Sequence, residues 1–503
     1  MWAETIRASG RVFADRPALM AEEGWPISFA ELDRLTDEVA VGLARRGVSH
    51  GEVVALLVPS SVDYIVLYGA LAKLGAITAG VSSRLPAAER TVLVNEVAEA
   101  DRAIATAAMA DGMGIGIDVI EVALGDGPGS VCADLRGVNE APPPLPPDGD
   151  RPVAVVFTSG TTGVPKGATF TNQILADIAV VDTGNGWGEG GPITSNTQMA
   201  HIGVMGKIPA QFAVGTTLHV IDKWSATAVL EAVSRYRMPA VGGVAPQIAL
   251  MLRHPDFDQY DFSSVKLVVT GGAPSPPDVI EEARRRFEAD WTQRYACTEG
   301  GGIGTFTWID APMEEMLYSV GRPRPGIKIE VRDPDSDLAV APGTVGEVCF
   351  QSPTVMAGYW RNPTATEEAL RGGWLHTGDQ GWIDDTGCLR LVGRRGEGFH
   401  RGGYVVFPVE AEKVLAWHPK VTGVCVVPRP DDVLGAVGVA VVIPADPTDP
   451  PTLDELRSFG QQHIADYKLP EHLRITDAFP MTPMSKIDRK ALELSEDREA
   501  GQT

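Results

Sequence analysis

The chain has 503 residues, enough for more than one folding unit at about 150 residues each. Lys plus Arg number 43 and Asp plus Glu 66, a formal charge of −23, with 44% hydrophobic and 22% charged residues. That composition is globular rather than disordered, and the acidity excludes a general nucleic-acid binder or a protein docked on an anionic membrane, which need a basic face.

The acidity is spread along the chain: from Glu397 onward there are 11 basic and 17 acidic residues. Five cysteines, at 132, 297, 349, 388 and 425, include no CxxC pair. This argues against a zinc site or a disulfide framework and fits a reducing compartment. The start MWAETIRASG lacks a signal-peptide layout, so a cytoplasmic location is expected.

In chain order, Phe29–Arg46 carries apolar residues at helical spacing, and Glu52–Leu57 is a short buried-strand pattern. Tyr64–Val81 is the most apolar long run, but it contains Lys73 and breaks toward Gly and Thr. A buried helix followed by a strand is expected there, not a membrane span. Such alternation predicts α/β layers with mainly parallel strands. Ala141–Asp150 (APPPLPPDGD) is a proline-rich connector whose rings exclude regular hydrogen bonding. Val153–Phe157, Thr217–Val220 and Leu267–Val269 read as strands and Ala226–Tyr236 as a helix. From Gly326 to Val392 short strands at Lys328–Val331, Gly346–Gln351 and Cys388–Val392 alternate with turn signals, predicting a small antiparallel β unit. Beyond Arg395, helices at Pro408–Trp417 and Leu453–Ile464 and strands at Val421–Val427 and Val437–Ile443 form a compact α/β segment.

The densest chemical signal is Thr158-Ser159-Gly160-Thr161-Thr162-Gly163-Val164-Pro165-Lys166-Gly167, directly after an apolar strand. Glycines let backbone N–H groups turn toward an anion, hydroxyls add donors and the lysine adds charge, which suits a polyphosphate. It is not a Walker A loop, because Pro165 stands where the GK[ST] ending is required.

With this loop the sequence resembles the adenylate-forming superfamily of acyl-CoA synthetases, luciferases and peptide-synthetase adenylation domains. The resemblance covers essentially the whole chain, because further motifs follow in the family's order. Ala200-His201-Ile202-Gly203 is similar to the acyl-gate motif and Gly271-Gly272-Ala273-Pro274 to the adenine-side turn. Tyr295-Ala296-Cys297-Thr298-Glu299 is similar to the Tyr-Gly-x-Thr-Glu segment, and His376-Thr377-Gly378-Asp379 to the ribose segment. Gly393-Arg394 resembles the start of the hinge, with Gly402-Gly403 after it, and Thr482-Pro483-Met484-Ser485-Lys486 resembles the C-terminal lysine motif.

The resemblance implies an α/β fold. A large N-terminal domain (1–394) of layered α/β subdomains plus a small β-barrel is followed by a smaller mobile C-terminal α/β domain (395–503) carrying the catalytic lysine. It implies ATP, Mg²⁺ and CoA as cofactors and co-substrates, and a small carboxylic acid as substrate. Glu299 is implied as the carboxylate for Mg²⁺, which prefers oxygen ligands. Thr298 is implied at the α-phosphate, Asp379 and Arg394 at the ribose, and Tyr295 at adenine. Lys486 is implied as a mobile charge bridging the attacking carboxylate and the α-phosphate. The acid pocket is expected among His201, Lys207, Gly243, Gly271, Ala296 and Gly301, with Gln247 as a further polar contact. The hinge is expected at Arg395, Gly396 and Glu397, and the acceptor tunnel at Gly402, Gly403 and Val405. Cys297 reads as a small packing residue, because no His or Asn constellation supports a nucleophile.

Four positions depart from the family pattern: Ala296, Gly396, Val405 and Ser485. Val405 and Gly396 lie on the face that would meet the second substrate. The primary expectation is an acid:CoA ligase. The alternative keeps adenylation with another acceptor or acid: carrier-protein loading, amide formation, or a diazotase-like relative activating nitrous acid. No nucleic-acid partner and no membrane span are expected; a homodimer is open.

Overall fold

The most apolar run forms a helix and then a strand. In the computed structural model Val62–Leu74 is helical, and Ile77–Gly80 is a strand paired parallel with Val53–Leu57. Ser61 caps the helix by accepting from Tyr64 N, and Gly75, at φ 72°, ends it in the left-handed conformation. Tyr64, Ile65, Leu67, Tyr68 and Leu71 are buried, each worth about 1.5–3 kcal/mol of transfer free energy. Lys73 is fully buried too, and its Nζ contacts Asp33 Oδ1 at 2.6 Å and Asp37 Oδ1 at 2.7 Å, both on the helix Phe29–Arg45. The cation therefore pins two helices together. Among the described residues, no helix is long and apolar enough to cross a membrane.

The structure describes residues 2–137, 140–158, 165–183, 190–195, 197–272, 275, 277–396, 398–401, 404–431, 433–481 and 487–493. A seven-stranded sheet runs in the order Gly358–Tyr359, Lys166–Thr171, Pro152–Thr158, Ile77–Gly80, Val53–Leu57, Arg102–Ala105, Asp118–Glu121. Its inner strands pair in parallel and the 152–158/166–171 hairpin is antiparallel. A five-stranded sheet follows: Ala240–Gly243, Leu267–Gly271, Asp290–Tyr295, Thr305–Phe306, Arg322–Pro323. Helices including Ala226–Arg235, Ala245–Leu252 and Pro277–Phe287 cover it through a core of Val229, Ile248, Ile280 and Trp291.

The expected small β unit is present as Lys328–Arg332, Gly346–Gln351, Leu375–Ile383 and Leu389–Arg394, all antiparallel. Among the described residues it is an open four-stranded sheet and not a barrel. Closure needs the first and last strands to pair at a consistent stagger, and here Lys328–Arg332 and Leu389–Arg394 remain at opposite edges.

The last part of the chain builds its own sheet, with Gly435–Pro444 between Val421–Asp431 and the parallel strand His472–Ile475. Helices Pro408–Leu415 and Leu453–Gly460 pack on it through Ala411, Leu415, Val426, Val442, Leu456 and Leu469. The second helix stops at Gly460, four residues short of the expected Ile464, where the Leu469 side chain presses against the glycine.

Candidate active site

The loop that carries the strongest signal is gathered by a hairpin. Thr158 ends one strand and Lys166 begins the next, and the two are register partners. Ser159, Gly160, Thr161, Thr162 and Gly163 lie outside the described residues. Lys166 Nζ sits 4.9 Å from the centroid of the Tyr359 ring. Tyr359 belongs to the short strand that pairs with the outer edge of the hairpin, opposite Ala168. Its hydroxyl donates to Glu299 Oε1 at 2.8 Å, and Met356 N donates to the Glu299 carbonyl at 2.8 Å. Burial and the neighbouring Glu299 carboxylate push the Tyr359 phenol up, so it stays a donor. The fold thus brings Lys166 and Glu299 together through a tyrosine that sequence reasoning missed. The only local signal was an aromatic pair after a glycine, Gly358-Tyr359-Trp360.

A second group forms around Asp379. Asp379 and Arg394 are register partners in the antiparallel sheet, and Arg394 Nε donates to Asp379 Oδ1 at 2.7 Å. The Tyr295 hydroxyl donates to Asp379 Oδ2 at 2.5 Å and lies 3.3 Å from Thr377 Oγ1. The Tyr295 ring meets Phe350 edge-on at 5.7 Å. Burial first, then Asp379, holds the phenol well above its ordinary value. The turn carrying Thr377 and Asp379 is buttressed from behind. Glu347 Oε1 accepts from Gly378 N at 3.2 Å, and Glu347 Oε2 meets His376 Nδ1 at 3.0 Å and Arg371 Nη2 at 2.9 Å. Glu347, Cys349 and His376 have ligand atoms within 4.8 Å of one another, but both Glu347 oxygens are already engaged, so the trio reads as a support for the turn.

The residues expected around the acid converge less completely. His201 begins the short helix Ile202–Met205 and is half-buried, and Lys207 precedes the helix Ile208–Ala213. Gly271 ends its strand and Gly272 follows at φ 79°; Ala273 and Pro274 lie outside the described residues. Thr298 and Ala296 are half-buried. Gly301 has φ 75°, and a Cβ there would lie 2.5 Å from Thr354 O, so glycine is demanded by backbone approach more than by room for a ligand. Gly243 ends the strand Ala240–Gly243, and Gln247 lies in the first turn of the helix Ala245–Leu252, where its Oε1 accepts from Val244 N at 2.9 Å. Burial, reinforced by Glu299 and Asp379, pushes the Cys297 thiol up, which fits a packing role.

Lys207 is buried against Asp182, with Nζ 3.7 Å from Oδ2. Arg324 Nη1 lies 2.6 Å and Arg294 Nη1 3.8 Å from Asp182 Oδ1. Burial lowers Lys207 to about 8, with Asp182 opposing and the two arginines adding to the effect. Asp182, Arg294 and Arg324 carried no recognisable motif.

Arg395 N donates to the Gly378 carbonyl at 2.8 Å, and Gly396 follows at φ 85°; Glu397 lies outside the described residues. The helix Pro408–Leu415 packs on the Leu389–Arg394 strand, and a Cβ on Gly393 would meet Phe407 at 3.2 Å. Lys413 on that helix is lowered to about 8 by burial and Arg390. Val405 pairs with His400 in the Phe399–Arg401/Tyr404–Val406 hairpin; Gly402 and Gly403 lie outside the described residues. So does Lys486, although Met481 and Ile487, on either side of its segment, form an antiparallel bridge.

Residues 6–360 match the AMP-binding enzyme family and residues 410–486 the AMP-binding enzyme C-terminal domain. Feruloyl-CoA synthase from Amycolatopsis sp is 31% identical over 92% of this chain and 93% of its own. 4-Coumarate–CoA ligase 5 from Oryza sativa subsp. japonica is 29% identical over 95% of this chain and 91% of its own. The solved structure of the amide bond synthetase McbA from Marinactinospora thermotolerans is similar with a TM-score of 0.87 at 27% identity, over 98% of this chain and 99% of that one.

Proposed function

The chain belongs to the AMP-binding enzyme family, and from that premise we propose how its residues divide the work of an adenylate-forming acid–CoA ligase. The enzyme activates a carboxylic acid with ATP and transfers the acyl group to the thiol of CoA. The observation that supports the assignment of roles is that one segment, Tyr295–Glu299, anchors both polar groups. Tyr295 reaches Asp379 and Glu299 reaches Tyr359.

In this reading the 158–166 loop holds the phosphates, with Lys166 supplying charge. Asp379 takes the ribose hydroxyls. Arg394 and Tyr295 each occupy one of its oxygens and leave a second lone pair on each. Glu299, an oxygen donor held by Tyr359 beside Lys166, fits Mg²⁺, which when bound would neutralise phosphate charge. The acid needs no general base, because a carboxylate is already the nucleophile. Its oxygen bonds to the α-phosphorus and pyrophosphate leaves. Positioning and fixed positive charge do the chemistry. Thr298 contacts the α-phosphate and Lys486 bridges the two reacting groups. His201 and Lys207 border the acid. The domain boundary lies at Arg395, between a nucleotide-binding domain (1–394) and a C-terminal domain (395–503) that turns about Arg395, Gly396 and Glu397 to admit CoA past Gly402, Gly403 and Val405.

The test is pyrophosphate release over a panel of acids, with and without CoA. Acid-dependent release followed by CoA thioester supports the reading; an acyl-adenylate that CoA never discharges overturns its second half. Gly396, Val405 and the likeness to an amide bond synthetase favour a second reading, in which an amine is the acceptor. Amide product from an amine panel would select it.

A further inference from the structure

The short strand that presents Tyr359 has little to hold it by itself. It pairs through two positions, Gly358 opposite Thr169 and Tyr359 opposite Ala168, and so short a strand at a sheet edge needs other anchors. Trp360 and Arg361, the next two residues, supply them. Trp360 N donates to the Gly167 carbonyl at 2.7 Å, one residue from Lys166. The Trp360 side chain packs, like those of Phe157 and Val97, against the cluster of Val53, Leu57, Leu93 and Val94. Its indole Nε1 donates to the Ala98 carbonyl at 3.0 Å, and Arg361 Nη1 lies 2.6 Å from Glu99 Oε2.

Both sides of this strap are irregular. Leu93–Val97 is a turn of π-helix, and Ala98 N reaches back five residues to the Leu93 carbonyl at 2.9 Å. Glu99 follows at φ 44°, and Arg361 across the ion pair stands at φ 50°. The left-handed region is costly for side chains of this kind and persists only where the surroundings over-determine it; like π turns, it collects at functional sites. The three irregularities bear on one strap, and the strap leads to Tyr359, whose ring centroid lies 4.9 Å from Lys166 Nζ and whose hydroxyl bonds Glu299. We propose, resting on the assignment of Lys166 to phosphate and Glu299 to Mg²⁺ above, that Trp360 is a positioning residue for the metal–phosphate site. Through Nε1 and the Ala98 carbonyl it fixes the strand that sets Tyr359 between the two charged groups. Trp360 acts through Tyr359 and needs no contact with the nucleotide.

The experiment titrates ATP onto Trp360→Phe, Tyr359→Phe and the double variant by calorimetry at stepped Mg²⁺, which gives a Mg²⁺ midpoint for ATP binding without turnover. Pyrophosphate release with the acid selected above then separates kcat from KM for ATP. Trp360→Phe keeps a ring and deletes the donor. It is expected to raise the Mg²⁺ midpoint and KM for ATP about 5-fold each, with kcat changed less. In the double variant the midpoint stays at that of Tyr359→Phe alone, because both changes cut one line of support. Should Trp360→Phe fail to fold, Arg361→Gly suits φ 50° and deletes a half-exposed ion pair; it is expected to raise the midpoint about 2-fold, with no further rise in the Tyr359→Phe background. An unmoved midpoint in a folded Trp360→Phe (in Arg361→Gly if that one does not fold), or rises that multiply in the double variant, overturns the proposal and leaves Glu299 as the metal's ligand. A midpoint unmoved in Tyr359→Phe itself removes Glu299 from the metal's ligands and this proposal with it.

Discussion

Tyr295 gives its hydroxyl proton to Asp379 Oδ2 across 2.5 Å, joining the end of the Asp290–Tyr295 strand to a strand of a different sheet. Tyr295 is 9% exposed and Asp379 7%. Arg394 grips the other oxygen at 2.7 Å, so the carboxylate is fixed from two sheets before any nucleotide arrives. That is preorganisation: the orientation is set during folding and need not be supplied on binding.

Removing the phenol tests this. Tyr295→Phe is expected to raise KM for ATP about 10-fold with a smaller change in kcat, and Asp379→Asn to raise it further. Steady-state pyrophosphate release at varied ATP measures both. An unchanged KM in Tyr295→Phe would make the bond a structural tie between sheets only.

The Tyr359–Glu299 bond gives a separate test. Tyr359→Phe leaves the ring beside Lys166 and deletes the 2.8 Å bond to Glu299. Loss of such a supporting bond weakens metal binding about 10-fold, so the Mg²⁺ concentration for half-maximal activity should rise by that factor. A Mg²⁺ titration with unaltered midpoint would remove Glu299 from the metal's ligands.

Much of the layering was legible from the chain, and the reasons differ by element. The strand Pro152–Thr158 and the buried helix Val62–Leu74 announce themselves by local apolar pattern. Thr158 and Lys166 are near in sequence, so their hairpin follows from a turn-rich loop after a strand. Tyr359 and Glu299 are 60 positions apart, and Arg324 and Asp182 are 142 apart. Meetings of that kind are set by how sheets stack and leave no periodic trace. The bond from Val244 N to Gln247 Oε1 was not legible either, because an amide in the sequence looks alike as a ligand or as a helix cap. The antiparallel β unit was legible from its short strands and turns, but the closed barrel implied by the resemblance was not borne out, because strand patterns do not encode whether the edge strands meet.

Lys73 provides a stability test away from the site. Lys73→Ala leaves Asp33 and Asp37 facing each other without their shared cation and should cost about 3 kcal/mol. Lys73→Met retains the apolar stem and should cost less. Guanidinium unfolding followed by circular dichroism measures both. Equal midpoints for wild type and Lys73→Ala would show that the two helices do not depend on the ion pair.

Acid should act through Asp182. Burial pushes its carboxyl up, but Lys207, Arg294 and Arg324 outweigh that and hold it at about 2, against an ordinary 3.8. The folded value lies below the unfolded one, so its stabilisation, about 2 kcal/mol, is complete above about pH 4 and is lost as pH falls through 2. In Asp182→Asn that dependence disappears. Urea midpoints measured from neutral pH downward should converge for the two proteins; curves that stay parallel would show that Asp182 does not titrate with folding.

The two-step account is tested most directly by exchange of labelled pyrophosphate into ATP. If adenylation precedes and is separate from transfer, exchange requires the acid and Mg²⁺, proceeds without CoA, and falls by several orders of magnitude in Lys486→Ala, while thioester formation from supplied acyl-adenylate falls much less. Exchange that appears only when CoA is present, or equal loss of both half-reactions in Lys486→Ala, would contradict it.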